Sequence, residues 1–392
     1  MRERVRLSDL NILYICLSDE WGTTERKCLT DAIYFRNIGG GSFILCREKS
    51  LIDLEAEKEA IPRLYFKDDL ELSKGKFNFY FQIQQIMQKK QVDIIHTYNH
   101  QTLLPLGIIL RSISHIPLIY TFNEFLPRPK NRFYERWFVS RTDSILTFSQ
   151  NIVELAKENL PIAERKIKVT GAGIDFPSIT KRTGDKGDKR KVAVFVSRKE
   201  LDLTYLKKFI DSIYPTLFAL EEHKFKPQVI FTFMTDISWY GHPLFESLKS
   251  LILERQLEMN ISFETRPLKA QSFVDCDLYI GLPEKELCSD EDYYALATQT
   301  PILVPRTAAR HALVRQGRFG DTYHPEDVRE LKDKVLKILL NADRYQVELQ
   351  GIEEQLEAMH HFEQYTEDLY SHYEKLFSQR IRYSQKKKKL TV

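Results

Sequence analysis

Apolar residues fall in short continuous runs along this chain, separated by longer stretches in which they recur at helical spacing. The runs at 11–18, 42–47, 63–66, 93–98, 116–122, 144–149 and 166–171 have the length of strands. They are unbroken rather than alternating, the pattern of strands covered on both faces. Helical stretches lie between most of them, and this rhythm predicts a mostly parallel sheet with helices on both sides. It breaks from Pro177 to Arg190, where Lys181-Arg182-Thr183-Gly184-Asp185-Lys186-Gly187-Asp188 offers nothing to bury and reads as an exposed linker. It then restarts, with strands expected at 191–197, 228–234, 261–266, 277–282 and 301–306 and helices at 203–222 and 243–256. From about 325 to 378 the pattern is helical, and the chain ends in a basic tail, 379–392, that contains Lys386-Lys387-Lys388-Lys389. Two doubly wound domains joined by a linker predict a cleft, with ligands held beyond the carboxyl ends of the strands.

Length supports two domains, since 392 residues exceed one compact core. A content of 43% hydrophobic and 29% charged residues is that of a soluble globular protein. A net charge of +3 gives no argument for nucleic acid as a partner. No apolar run has the length of a bilayer crossing, and no secretory pattern opens the chain. The five cysteines (Cys16, Cys28, Cys46, Cys276, Cys288) are scattered without metal-ligand spacing. They read as reduced core thiols of a cytoplasmic protein. No strand is followed by G-x-G-x-x-G, which excludes a Rossmann-type dehydrogenase.

The candidate chemistry lies at strand ends. Gly22-Thr23-Thr24-Glu25-Arg26 follows the first strand. Such a turn suits either an anion held by helix N-terminal amides or an ordinary capped strand-to-helix turn. Asp93-Ile94-Ile95-His96-Thr97-Tyr98-Asn99-His100 and Phe122-Asn123-Glu124 end two further strands. Val194-Phe195-Val196-Ser197-Arg198 opens the second half, and Tyr294-Ala295-Leu296-Ala297-Thr298-Gln299-Thr300-Pro301-Ile302-Leu303-Val304 lies near its end. Together these resemble, in order, the "GGxER", "DxxHxHx", "PxxxTxH", "xxxGR" and "EAMAxGxPVV" motifs of the retaining family-4 glycosyltransferases. Ser144 to Ser149 and Lys166 to Asp175 resemble that family's "ADxxxxxS" and "KxxVxxNGxD". The resemblance covers residues 8 to 335; its apolar frame is strong and its polar positions are eroded.

The fold implied is α/β of the GT-B type: two Rossmann-like parallel-sheet domains facing a cleft. The first would span 1–176 on the acceptor side, the linker 177–190, and the second 191–342 on the nucleotide-sugar side. A helical segment at 343–378 would cross back to the first. By the same resemblance Arg198, with Lys199 beside it, would hold the donor diphosphate, a role suited to the guanidinium fork. Glu286 and Tyr294 fall on the family's E-x7-E pair, so only the first carboxylate survives. Tyr294 could stack on the nucleotide or simply pack. Gly22, Thr23, Thr24 and His100 would line the acceptor side. The active-site histidine falls on Asn123, which can hydrogen-bond a sugar hydroxyl but cannot titrate near neutral pH. His96 reads as a packed histidine rather than a substrate ligand. The family's lysine and glycine positions hold Leu203 and Gln299.

Between Glu286 and Tyr294 stands Ser289-Asp290-Glu291-Asp292. Aimed at a dianionic donor, each carboxylate would cost roughly 2–3 kcal/mol at about 6 Å and an effective dielectric near 20. Turned to water they would be a solvated, favourably charged helix N-terminus. A second cluster interleaves Arg128, Lys130, Arg132, Arg136 and Arg141 with Phe133, Tyr134, Trp137 and Phe138. It suits the surface of an anionic membrane; equally, Phe133 and Trp137 would be core and the basic residues solvated.

The function expected is transfer of a sugar from a nucleotide-sugar to a lipid-linked or polysaccharide acceptor of the cell envelope, without a cofactor or metal. The alternative is a catalytically silent relative that binds glycan or stabilises a protein partner. The eroded positions Asn123, Leu203, Gln299 and Tyr294 favour that alternative.

Overall fold

Unbroken apolar runs cannot leave one face to water, and the chain buries them in two parallel sheets. The structure, a computed structural model, describes residues 6–68, 73–126, 129, 132–175, 188–196, 203–234, 242–266, 268–283 and 287–390. The chain divides into two compact units, one of Met1–Gly173 with Phe362–Val392 and one of Ile174–His361.

The first unit runs β1 (Asn11–Ile15), α1 (Thr23–Asn37), β2 (Gly41–Cys46), α2 (Leu51–Lys58), β3 (Arg63–Tyr65), α3 (Ser73–Lys90), β4 (Ile94–Thr97) and α4 (Leu103–Ser112). It continues with β5 (Leu118–Thr121), α5 (Phe133–Val139), β6 (Ser144–Thr147), α6 (Gln150–Asn159) and β7 (Ile167–Val169). The strand order is β3-β2-β1-β4-β5-β6-β7, all parallel. The order reverses between β1 and β4, where their carboxyl ends open a crevice. On one face Leu13, Ile15, Ile95 and Leu118 pack with Phe79, Ile83, Leu106 and Ile109 of α3 and α4.

The second unit runs β8 (Lys189–Val196), α7 (Leu203–Glu222), β9 (Lys226–Met234), α8 (Pro243–Glu254), β10 (Ile261–Arg266), β11 (Leu278–Ile280) and α9 (Asp290–Ala297). Then follow β12 (Ile302–Pro305), α10 (Ala308–Leu313), β13 (Gly320–Tyr323), α11 (Val328–Leu340), α12 (Ala342–Leu349) and α13 (Ile352–His360). Its sheet, β10-β9-β8-β11-β12-β13, reverses between β8 and β11. Residues 177–187 of the expected linker lie outside the described residues; Lys189 and Arg190 already belong to β8. The helical segment breaks at Gly351, whose φ of 77° is left-handed.

At Phe362 the chain returns to the first unit as α14 (Phe362–Leu390). A buried polar network fastens it there. Tyr365 donates to both oxygens of the buried Asp31 carboxylate, at 2.9 and 2.8 Å, and Tyr98 donates to the same group. Lys27 gives its ammonium to the Ala172 carbonyl at 3.0 Å and lies 3.2 Å from the centre of the Tyr365 ring. The His96 imidazole lies between the Tyr373 hydroxyl, 2.7 Å away, and Thr121 Oγ1, at 2.8 Å. His96 is therefore a core residue, and burial pushes its pKa down to about 3. All five cysteines are buried free thiols.

Candidate functional site

The residues expected on the acceptor side gather at the carboxyl end of the first sheet. Gly22 caps α1 after β1, His100 follows β4, and Asn123 follows β5. These three strands are neighbours, so the sheet alone brings their ends together. Asn99 Oδ1 accepts from the Leu17 amide at 2.6 Å and ties the loops after β4 and β1 across the crevice.

The Gly22 amide donates to Glu25 Oε2 at 2.7 Å, so the turn is a helix cap closed by its own glutamate. Thr23 and Thr24 are buried. Gly22 is extended, at φ −113°, a conformation open to any residue. His100 is held by its neighbour in the next loop. Its Nδ1 lies 2.8 Å from Glu124 Oε2, and its amide donates to Glu124 Oε1 at 2.6 Å. Tyr120 donates to the same oxygen at 2.8 Å. Burial, and then the Glu124 charge, raise the Tyr120 pKa and keep it a neutral donor. A carboxylate that fixes one imidazole nitrogen sets the orientation of the ring. Asn123 is buried beside this arrangement in sequence. Sequence reasoning gave Glu124 no role; its place directly after Asn123 at a strand end was the available signal.

In the second unit Arg198, Lys199 and Glu286 lie outside the described residues. Tyr294 is on α9, half-buried. The acidic segment before it departs from the expectation of a solvated helix start. Glu291 and Asp292 are buried at the start of α9 and are not solvated. Asp292 Oδ2 accepts from the Ser289 amide at 3.1 Å and from Arg310 Nε at 2.9 Å. Arg310 is the largest fully buried side chain among the described residues, so this is a buried ion pair between α9 and α10. Arg310 was missed because its partner is 18 residues away on another helix. Nearby, Tyr323 donates to the Gly281 carbonyl at 2.8 Å, with the Tyr205 hydroxyl 2.8 Å from its own. These bonds fix the end of β11, the strand that leads towards Glu286.

Gln299, at the family's glycine position, has φ 60°. The backbone there is left-handed at the end of α9, which explains why the pattern prefers glycine. The glutamine bears the strain.

Two sheets with reversals at β1/β4 and β8/β11, linked by a returning C-terminal helix, define the architecture. The chain has the GT-B glycosyltransferase fold. Among GT-B structures it is similar to a glycosyltransferase from Rickettsia africae ESF-5, with a TM-score of 0.71 at 15% identity, covering 94% of this chain and 98% of that one. It is similar to Anabaena Alr3699/HepE in complex with UDP, with a TM-score of 0.68 at 15% identity over 92% and 99% of the two chains. It also resembles the apo form of the lipopolysaccharide outer core galactosyltransferase WaaB, with a TM-score of 0.58 at 13% identity over 96% and 100%. Residues 44–176, nearly all of them in the first unit, match the model of Glycosyltransferase Family 4. No curated protein matches the sequence.

Proposed function

We propose that this GT-B protein transfers a sugar from a nucleotide-sugar to a lipid-linked or polysaccharide acceptor of the cell envelope, at the cytoplasmic face of a membrane. The observation that carries the reading is the convergence of Gly22–Thr24, His100 and Asn123 at the switch point of a unit that matches Glycosyltransferase Family 4. His100, oriented by Glu124, and Asn123 would hydrogen-bond the acceptor. Arg198 and Lys199 would hold the diphosphate, Tyr294 would pack against the nucleotide, and Glu286 would accept from a donor-sugar hydroxyl. The transfer would retain anomeric configuration and need no metal or cofactor. UDP bound to HepE supports a nucleotide-sugar donor, and the substrate class named for WaaB supports an envelope acceptor.

A second reading, a catalytically silent protein that binds glycan or steadies a partner, is favoured by one observation. Asp292 occupies the start of α9 and is neutralised by Arg310 from within the unit. One pair of measurements separates the readings. An enzyme gives a thermal shift with UDP or a UDP-sugar, because a ligand of the native state raises its stability. Arg198→Ala then weakens that binding by about 1.5–3 kcal/mol, the scale of a charge-assisted hydrogen bond. Glu286→Gln abolishes transfer and leaves the fold intact. No shift with any nucleotide-sugar, together with full cellular function of Glu286→Gln, would establish the silent reading.

A further inference from the structure

The helix α5 presents rows of residues at i,i+4 spacing that differ in chemistry. Glu135 and Val139 are buried and form the inner row. Phe133 and Trp137 form an outer row at 88% and 54% exposure, flanked by Arg132 and Arg136, which are also exposed. Tyr134 on α5, Phe125 before it and Ile108 on α4 are likewise exposed. The expectation that Phe133 and Trp137 are core is thus overturned. So is the assignment of Arg141 to the basic face. Its guanidinium is buried on the carbonyls of Leu110, Ile113 and Ile116 and on Asp143.

The patch is built rather than incidental. A Cβ on Gly107 would meet the Phe138 carbonyl oxygen at 2.3 Å, so α5 seats its backbone directly on α4. Arg111 of α4 lies over the Trp137 ring at 4.3 Å and donates to the Trp137 carbonyl, which adds a third guanidinium to the aromatic row. The acid of this helix, Glu135, is turned inward to cap the Arg132 amide at 3.1 Å. From 125 to 140 the sequence holds four basic residues against that single acid.

We propose that this outer face of α5, with the adjoining edge of α4, docks on an anionic lipid bilayer. Aromatic rings ringed by arginines match the interfacial layer of such a membrane, where rings sit at headgroup level and guanidinium groups meet lipid phosphates. The charge of the patch selects the occupant: exposed Arg132 and Arg136 flank the aromatic row while the acid of the helix is buried, which suits an anionic surface. The position fits the proposed acceptor chemistry. Helices α4 and α5 each return from the carboxyl end of one strand to the amino end of the next in a parallel sheet, so they run in the same direction. Phe133 therefore lies towards the start of α4, the end that carries His100. A lipid-linked acceptor would emerge beside that end. This last step rests on the proposed transferase reading; the docking itself does not.

The test is co-sedimentation of the full chain with vesicles of phosphatidylglycerol and phosphatidylcholine, and with phosphatidylcholine alone. The protein binds the anionic vesicles at low salt and is released at high salt. Phe133→Ser with Trp137→Ser weakens partitioning at least tenfold. Arg132→Glu with Arg136→Glu does the same. The circular dichroism spectrum and any UDP thermal shift stay as in the parent, so loss of docking is distinguishable from failure of the transferase reading. Wild-type protein that stays in the supernatant at low salt would overturn the proposal. So would an aromatic double variant that binds as tightly as the parent, which would shift the anchor to the Lys386–Lys389 run. Conversion of a wild-type dimer to a monomer by the aromatic variant, without vesicle binding, would make the face a contact between copies and overturn it as well.

Discussion

Acidification should loosen the first unit through two histidines that are buried neutral. Burial is the main cause in both: it pushes His96 down to about 3 and His372, 2.8 Å from Ser144 Oγ, down to about 4. In the unfolded chain each titrates near 6.5. Between 6.5 and the folded value the unfolded state binds a proton that the native state refuses. The stability from each group is therefore complete above pH 6.5 and drains away as pH falls. From pH 7.5 to pH 5 the loss is about 2 kcal/mol per histidine, or about 4 kcal/mol for the pair, on the linkage scale of about 1.4 kcal/mol per pH unit. Asp31 acts in the opposite sense: burial raises its pKa despite Lys27, Tyr98 and Tyr365, so the native state gains that proton first. The raw pH slope is thus a sum, and the informative quantity is a difference. His96→Gln removes one titrating group and keeps a hydrogen-bonding side chain against Tyr373 and Thr121. Urea titrations at pH 7.5 and pH 5 should find the stability gap between parent and variant narrowed by about 2 kcal/mol at the lower pH. A gap equal at both pH values, or a His96 ring proton titrating above pH 6 by NMR, would refute the buried-neutral assignment.

Arg310→Met should cost the second unit about 3–5 kcal/mol, because it strands the Asp292 charge in the interior. Adding Asp292→Asn should recover part of that loss, and strictly additive penalties in the double-mutant cycle would argue against the pair. At Gln299 the order of stability should be Gly above Gln above Val, since a β-branched side chain tolerates left-handed backbone worst; glycine should gain about 0.5–1 kcal/mol, and thermal melts in any other order would contradict the φ of 60°.

The strands were legible because runs buried on both faces leave a signal that needs no partner. The runs at 11–18 and 93–98 became β1 and β4 with trimmed ends, the run at 261–266 became β10 at full length, and the stretch at 203–222 became α7. The edge strand β13 left no such signal. Gly320-Asp321-Thr322-Tyr323 is short and polar, and it is held by pairing with β12 rather than by its own pattern. Places at strand ends were readable from the motifs, as for Gly22, His100 and Asn123 after β1, β4 and β5. What they touch was not. Glu124 reaches His100 from 24 residues away, and Tyr373 reaches His96 from 277 residues away. Such pairings are set by topology, and a linear pattern carries no record of them.

The return of α14 also has a consequence for synthesis. Asp31 is made 334 residues before Tyr365, and His96 277 residues before Tyr373, the side chains that seal them. The second unit is one contiguous stretch and can close as soon as residue 361 has emerged. The first cannot, since Asp31 and His96 lack their tyrosine partners until α14 arrives. The expected order is therefore the reverse of the usual N-terminal-first folding of multidomain chains, with the unit of Ile174–His361 complete before the first. Until α14 docks, the face of the first sheet that holds Asp31 and His96 stays uncovered, while the face packed on α3 and α4 needs nothing from that helix.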